Sequence, residues 1–592
     1  MTNSLALIAD EVVETDFLIV GGGLAGCMAA IEAKKKSNID VVIMEKSSIE
    51  YGGTGVGLDG FHVEFPGIIE HPVPKDVDEA IAAKSLFGAN RYKGLVSSKS
   101  AITELKNWIK PLAILEDIGV QIREDDGKMW GAQNYRGGTV HSRLKKDENG
   151  KPFEPNVVMY RGSDLKWKLA KAVYEAGVRV FNRTMITSII TKNGTAVGAT
   201  ALNSRTGKFV VFKSKAVLIA TGRATRLNPY PWAPYPNNLF YSIGFPGNCG
   251  GGIIGAFRAG AKVANMECLW VYAVSKGINA SGGAGGAGWH FRLLNSKGES
   301  LEDKYPELNI RIAGGNIPPV NFMYAPGMKE PTTEKDIIVS KTDSATDDDI
   351  SATYYTAATE PPRTLKFLKM AGGLKDKRPA EGVPYPAAIT ISGIRRINEH
   401  AESTIGNLFA AGDCACHTAG SRALVWGYIV GSHVAEQIGS IQGQSLNGEQ
   451  LRQVEQAKAR VLAPLGRVTR NAVNPLELED YVRTEIIKNY VGIKKIKARM
   501  ERAKELLKRV KEEAVPLLVA DGPHELMRAV EAQDIIDIAE LYIDSSLLRT
   551  ESRVAPMHYR EDYPDQDSNW DKITITARKN EDSIEYLRES VE

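Results

Sequence analysis

Three glycines, Gly21-x-Gly23-x-x-Gly26, have the spacing that cradles a pyrophosphate. The first permits a tight turn, the second lets backbone approach the phosphates, and the third allows close strand–helix packing, with the pyrophosphate at the helix N-terminus. Glu45 follows Gly26 by 19 residues, at the end of the next apolar run, where a carboxylate accepts ribose hydroxyls. The chemistry is dinucleotide binding, and this motif alone does not separate NAD from FAD; an ordinary glycine-rich turn is the plainer alternative. A second cluster, Glu45-Lys46-Ser-Ser-Ile-Glu-Tyr-Gly52-Gly53-Thr54-Gly55-Val56-Gly57, carries few side chains. Its backbone can approach a large planar ligand and donate N–H bonds to it, or it is a surface turn. His62 comes five residues after Gly57. An imidazole there can exchange protons near neutral pH, or be a packed or surface histidine. Two later runs, Val-Leu-Ile-Ala-Thr221-Gly222 and Leu-Phe-Ala-Ala-Gly412-Asp413, favour FAD, with Asp413 expected at the ribityl or diphosphate end.

These residues need a parallel sheet to position them. Asp16–Val20 reads as a buried strand, Cys27–Lys36 as a helix and Asp40–Met44 as a second strand, a βαβ unit of roughly 30 residues. Ala216–Ala220 and Asn407–Ala411 read as further strands, and Leu424–Gln437 as a helix. The fold class is therefore α/β. A Rossmann-like nucleotide-binding domain is expected over 1–225 and 386–445, an inserted, smaller α+β domain over 226–385, and a helical C-terminal domain with an extended tail over 446–592. At 592 residues the chain is long enough for several domains, and 43% hydrophobic with 25% charged residues excludes global disorder. Lys+Arg 74 against Asp+Glu 72 leaves a net charge of +2, with no general reason to expect nucleic acid. The 5 cysteines contain no CxxC pair, so they read as reduced thiols without a metal or cluster site of their own. Cys414-x-Cys416 reads as packing. No leader pattern opens the chain, and Phe17–Val20 is too short to cross a bilayer. The expectation is a cytoplasmic protein with no direct membrane insertion. The basic stretch Lys494–Arg509 reads as a solvated, ion-pair-laced face.

The four glycine-containing motifs, in this order, resemble the flavoproteins of the fumarate reductase and succinate dehydrogenase superfamily. Asn489-Tyr490-Val491-Gly492-Ile493, Arg549-Thr550-Glu551-Ser552-Arg553 and Tyr559-Arg560-Glu561-Asp562-Tyr563-Pro564 agree. Within it, Gly22-Gly23-Leu24-Ala25-Gly26-Cys27, Gly412-Asp413-Cys414-Ala415 and His524-Glu525-Leu526-Met527-Arg528-Ala529 look like the α subunits of dissimilatory adenylylsulfate reductases. The resemblance implies a Rossmann-like FAD-binding domain whose inserted α+β segment is a capping domain, with a helical C-terminal domain beside them, and FAD held by Gly21, Gly23, Leu24, Ala25, Gly26, Glu45, Lys46, Gly52, Gly53, Thr54, Gly55, Gly57, Thr221, Gly222, Gly412, Asp413, Ala423 and Leu424. It places Arg422 where the superfamily has an arginine that binds a substrate carboxylate, a task for which a guanidinium fork suits better than lysine. His62 would then move the proton.

The departures from that pattern bear on the reaction. A covalent flavin histidine would fall within Tyr51–Thr54, and none is there, so noncovalent FAD is implied. The superfamily's proton-donor arginine matches Gly282–Gly288, which holds no Arg, and its substrate histidine matches Ala388–Ile394, which holds no His. The adenylylsulfate pocket's arginine falls near Val274 or Ser275, and its asparagine near His62. The resulting expectation is an FAD-dependent oxidoreductase acting on a small anionic substrate. It would exchange electrons with a separate ferredoxin-like iron–sulfur subunit, hence a hetero-oligomer. The alternatives are an adenylylsulfate reductase working through a flavin–sulfite adduct, and an electron-transfer subunit without its own small-molecule site.

Overall fold

The computed structural model describes residues 5–53, 60–61, 94–135, 138–141, 157–227, 247–275, 292–295, 297–306, 338–341, 380–389, 392–416, 422–553, 557–581 and 583–592. Thr54, Gly55, Gly57 and His62 lie outside the described residues.

The chain opens with β1 (Glu11–Val20), α1 (Leu24–Lys36) and β2 (Val41–Met44). Apolar character marks a strand only at 16–20, yet β1 starts at Glu11. Its first half pairs Glu11–Thr15 with Val210–Ser214 while Glu11, Val12 and Glu14 stay exposed, so the residues there are mixed and form no apolar run. After α2 (Ser98–Asn107) and α3 (Leu165–Glu175), β3 (Arg179–Phe181) leads into the meander β4 (Thr184–Lys192), β5 (Thr195–Asn203) and β6 (Phe209–Ile219). α4 (Gly251–Arg258) buries Ile253 and Ile254 in the same core as Ile186 and Ile219. Next come β7 (Leu269–Ser275), β8 (Arg292–Leu294), β9 (Ile338–Lys341) and β10 (Ala380–Ile389), an antiparallel sheet in the order β7-β10-β9-β8.

The chain then returns to its first sheet through β11 (Leu408–Ala410), followed by α5 (Arg422–Gln437). That sheet runs β3-β2-β1-β6-β5-β4, with β11 also on β6. Strands β3, β2, β1, β6 and β11 are mutually parallel, while the meander is antiparallel. β6 joins the two parts. Phe209–Lys213 pair with β5, and Val217–Ile219, beyond the end of that pairing, pair with β11.

α5 lies directly on α1. A Cβ at Gly427 or Gly431 would clash with the carbonyl oxygen of Ala25 or Ala29 respectively, so glycine spaced four apart on one helix meets alanine spaced four apart on the other.

The C-terminal part holds α6 (Gly448–Leu462), α7 (Pro475–Tyr481), α8 (Lys497–Arg509) and α9 (Pro523–Leu548). The tail folds as a hairpin, β12 (Ile573–Asn580) and β13 (Ser583–Ser590), whose Thr576 and Ala577 pair with Val263–Ala264. α8 buries Met500, Ala503 and Leu507, and its other face carries Arg502–Glu505 and Arg509–Glu513 pairs. Among the described residues no helix is long and apolar enough to cross a membrane.

Candidate functional site

A cleft with about 900 Å³ of empty space opens where β1, β2 and β6 end and the β1–α1 turn begins. This is the C-terminal edge of the parallel strands, where open α/β sheets bind their ligands. The three motif glycines divide the work. Gly21 has φ +104°, and a Cβ there would lie 2.5 Å from the Ala220 carbonyl oxygen. At Gly26 a Cβ would clash with the Gly21 carbonyl, so the absent side chain is what lets α1 sit against the turn. Gly23 differs: its Cβ would meet nothing nearer than 3.9 Å, leaving the cleft open before the start of α1. From below, buried Lys166 donates from Nζ to the Gly22 carbonyl at 2.5 Å, and the Cys27 thiol donates to the same oxygen at 3.2 Å.

Glu45, at the end of β2, accepts the Gly22 N–H at 2.8 Å and the Ser47 N–H at 2.7 Å. Its carboxylate therefore braces the turn while also lining the cleft. Lys46 lines it too, with Nζ donating to the Gly247 carbonyl at 2.8 Å and paired with Glu531 of α9. Leu24, Ala25, Gly53, Thr221, Gly222, Gly412, Asp413 and Ala423 complete the expected residues on its wall. Gly26, Gly52 and Leu424 are not on the wall. Gly52 packs against Glu45, and Leu424 is buried among the side chains beneath α5.

Two polar atoms on this wall, Thr221 Oγ1 and Asp413 Oδ1, are buried without a hydrogen-bond partner. A hydroxyl and a carboxylate oxygen left unmet fit a polyhydroxylated ligand in the cleft. The other Asp413 oxygen lies 3.0 Å from Arg223 Nε. The wall also includes Thr184, Met185 and Ile186 of β4 and the whole run Gly247-Asn248-Cys249-Gly250-Gly251-Gly252, none of which the motifs mark. The three consecutive glycines of that run were its available signal. The β4 residues gave none, because only the sheet order brings them to the cleft.

Arg422 is the first residue of α5 and is 8% exposed. Its Nη1 is 2.6 Å from Glu104 Oε2 on α2, and Glu104 Oε1 accepts the Trp426 Nε1–H at 2.6 Å. Arg396 lies over the Trp426 ring, 3.6 Å from its centroid. No sequence motif marks Glu104 or Arg396; the paired arginines Arg395-Arg396 after an apolar run are the one local signal. Cys414 and Cys416 are buried thiols that donate to the Ile219 and Ile394 carbonyls, each at 3.1 Å. Burial pushes the Cys414 thiol up to about 12, so it is protonated at neutral pH.

A family profile described as "FAD binding domain" matches residues 16–72 and 94–424, and one described as "Fumarate reductase flavoprotein C-term" matches residues 483–592. One subunit of the fumarate reductase (CoM/CoB) of Methanothermobacter marburgensis is 23% identical over 591 residues, 96% of this chain and 98% of the relative. Adenylylsulfate reductase of Archaeoglobus fulgidus superposes with a TM-score of 0.77 at 21% identity, over 98% of this chain and 97% of that one. Escherichia coli quinol fumarate reductase superposes with a TM-score of 0.77 at 18% identity, again over 98% and 97%.

Proposed function

This chain belongs to the FAD-binding flavoprotein superfamily of fumarate reductases and succinate dehydrogenases, and on that premise we propose that it passes a hydride or electron pair between FAD and a small anion held by Arg422. It is an oxidoreductase and it binds FAD. The observation that carries the substrate reading is one of adjacency: Ala423 lines the cleft, and Arg422 immediately precedes it.

FAD, when bound, supplies a two-electron acceptor or donor. The β1–α1 turn receives its diphosphate, and the unmet Thr221 and Asp413 oxygens receive its hydroxyls. The cofactor is held noncovalently, since Tyr51–Thr54 offers no histidine. Arg422 binds and orients the anionic group, and Glu104 fixes the guanidinium against rotation through its 2.6 Å contact. His62, just beyond the glycine loop, supplies or accepts the proton.

Electrons are exchanged with a separate ferredoxin-like iron–sulfur subunit, making the working form a hetero-oligomer. Two observations support this: the Methanothermobacter relative is named as one subunit of its enzyme, and this chain has no CxxC cysteines. Its buried free thiols suit a reducing, cytoplasmic setting.

An anaerobic visible spectrum of the purified protein, with and without sulfite, tests the reading. Flavin bands that sulfite leaves unchanged, and that small anionic acceptors reoxidise after reduction, are the expected result. Bleaching by sulfite alone would move the reaction to adenylylsulfate. A reduced flavin that answers only to a protein partner would remove the small-molecule site altogether.

A further inference from the structure

Arg396 follows the short strand Gly393–Ile394 by two residues and is tied to the wall of the same site. Its Nη2 donates to the Cys416 carbonyl at 3.0 Å. Cys416 lies on the stretch between two residues of the cleft wall, Asp413 and Ala423. The guanidinium stacks over Trp426, whose indole N–H is committed to Glu104. Nε and Nη1 of Arg396 are buried and meet no hydrogen-bond acceptor.

Two arginines thus share one carboxylate. Glu104 is in contact with Arg422, and it also favours the charged form of Arg396 from a distance. Burial and the neighbouring Arg422 work against that charge and bring the Arg396 pKa down to about 10, so it remains a cation at neutral pH. Among the described residues the group is one negative charge short. The two unmet donors, Nε and Nη1, lie on different edges of the guanidinium, and each is a charge-assisted donor that a further anion can meet; leaving them unmet carries a desolvation cost.

We infer that Arg396 is a second anion-binding side chain of the substrate site, acting with Arg422 on a substrate that bears two negative charges, as two carboxylates or as one doubly charged oxyanion. This rests on the reading of Arg422 given above. Arg396 lies just after the strand Gly393–Ile394, far along the chain from the Gly282–Gly288 stretch, which has no arginine.

The test uses FAD-loaded protein titrated at pH 7.5 with malonate, sulfate, acetate and nitrate, followed by the flavin absorbance and by the melting temperature. Malonate or sulfate is expected to bind at least about tenfold more tightly than either monoanion. Preference for malonate marks two carboxylates, and preference for sulfate marks one oxyanion. In Arg396→Met the dianion affinity falls by about tenfold or more while the monoanion affinity moves less than about threefold. Without added anion this variant melts at or above the wild-type temperature, because removing an unpaired buried cation removes its cost. A merely structural Arg396 would give the opposite melting result. If Arg396→Met does not retain flavin, Arg396→Lys carries the test: its charge survives but its fork does not, and dianion affinity falls by about tenfold. Undiminished dianion affinity in the folded variant, or no dianion preference in the wild type, overturns the inference. Arg422→Gln separates the two readings. If it abolishes anion binding while the Arg396 variants bind normally, only the Arg396 inference falls; if it leaves binding and turnover intact, the reading of Arg422 falls.

Discussion

Replacing Arg422 with Ala removes one partner of a buried pair and strands Glu104 in the interior. The expected loss is about 100-fold or more in kcat/KM, from an interaction worth roughly 3 kcal/mol. Glu104→Gln, which keeps the shape and the Trp426 hydrogen bond, should cost only about tenfold, chiefly in KM. Equal turnover in wild type and Arg422→Ala would take the residue out of the reaction. A different side chain sets a pH response. Lys495 is buried, donating to the Glu267 carbonyl at 2.7 Å and facing His558 Nδ1 at 3.1 Å. Burial brings its pKa down from 10.5 to about 7, against the pull of Cys268 and Glu267 and with Arg560 and Arg549 adding to the fall. His558 is held neutral by burial and by Lys495, so its ring nitrogen can accept. Between pH 7 and 10.5 the unfolded chain therefore holds a proton on this lysine that the folded chain has released. Stability rises with pH across that window, and below pH 7 the full penalty of burying the cation applies. Lys495→Met should flatten the rise, read as urea midpoints at pH 7, 8 and 9; an unaltered slope would assign it to another group.

At the scale of elements, the α1–α5 contact decides where Arg422 and Ala423 stand. Gly431→Val places a branched side chain against the Ala29 carbonyl, a backbone atom that cannot swing aside. The helices must part, at about 1–3 kcal/mol for overpacking, and the cleft wall moves with α5. A melting temperature lowered by several degrees and a substoichiometric flavin content are expected; normal values for both would show that the helices are not held by this contact. The α1–α5 contact could be anticipated only in part. Both helices are legible as small-residue, apolar segments, but nothing local says that Gly427 and Gly431 face Ala25 and Ala29. α9 shows the opposite difficulty. It carries Glu531, Asp534, Asp537, Glu540 and Asp544, yet much of it is buried, because Arg226, Arg258, Lys511 and Lys504 from other elements meet those carboxylates. A helix whose charges are paired internally has no clean apolar stripe for a sequence reading to find.

At the scale of the whole molecule, Glu531 ties the C-terminal helices to the cleft. It is buried, pairs with Lys46 on the cleft wall, and lies 2.7 Å from both Arg226 and Arg528. Burial alone would raise its pKa, but Arg226, Lys46 and Arg528 together hold it well below the ordinary carboxylate range. Glu531→Gln leaves buried cations under-compensated, an effect of about 3–5 kcal/mol. Two changes are expected together: a lower denaturant midpoint, and weaker FAD binding as Lys46 loses the partner that fixes it. Loss of stability with unchanged FAD affinity would confine Glu531 to the scaffold. A second tie is the terminal hairpin, where Glu589 meets Arg395 at 2.9 Å and pairs with Lys262, residues that flank the short strands Gly393–Ile394 and Val263–Ala264.

The glycine spacing, the acid at the end of β2 and the recurrence of Thr221-Gly222 and Gly412-Asp413 are legible in the sequence because backbone turns and phosphate approach are local demands. They dictate which residue types stand at fixed offsets. The apolar cores of the parallel strands are legible for the same reason. What only tertiary structure decided are pairings between residues far apart in the chain: Glu104 with Arg422, Arg396 over Trp426, Glu531 with Lys46, and β4 against the cleft. Charge pairing and burial are set by distance in space, and a buried carboxylate looks like an exposed one until the sheet order and the helix packing bring its partner within 3 Å.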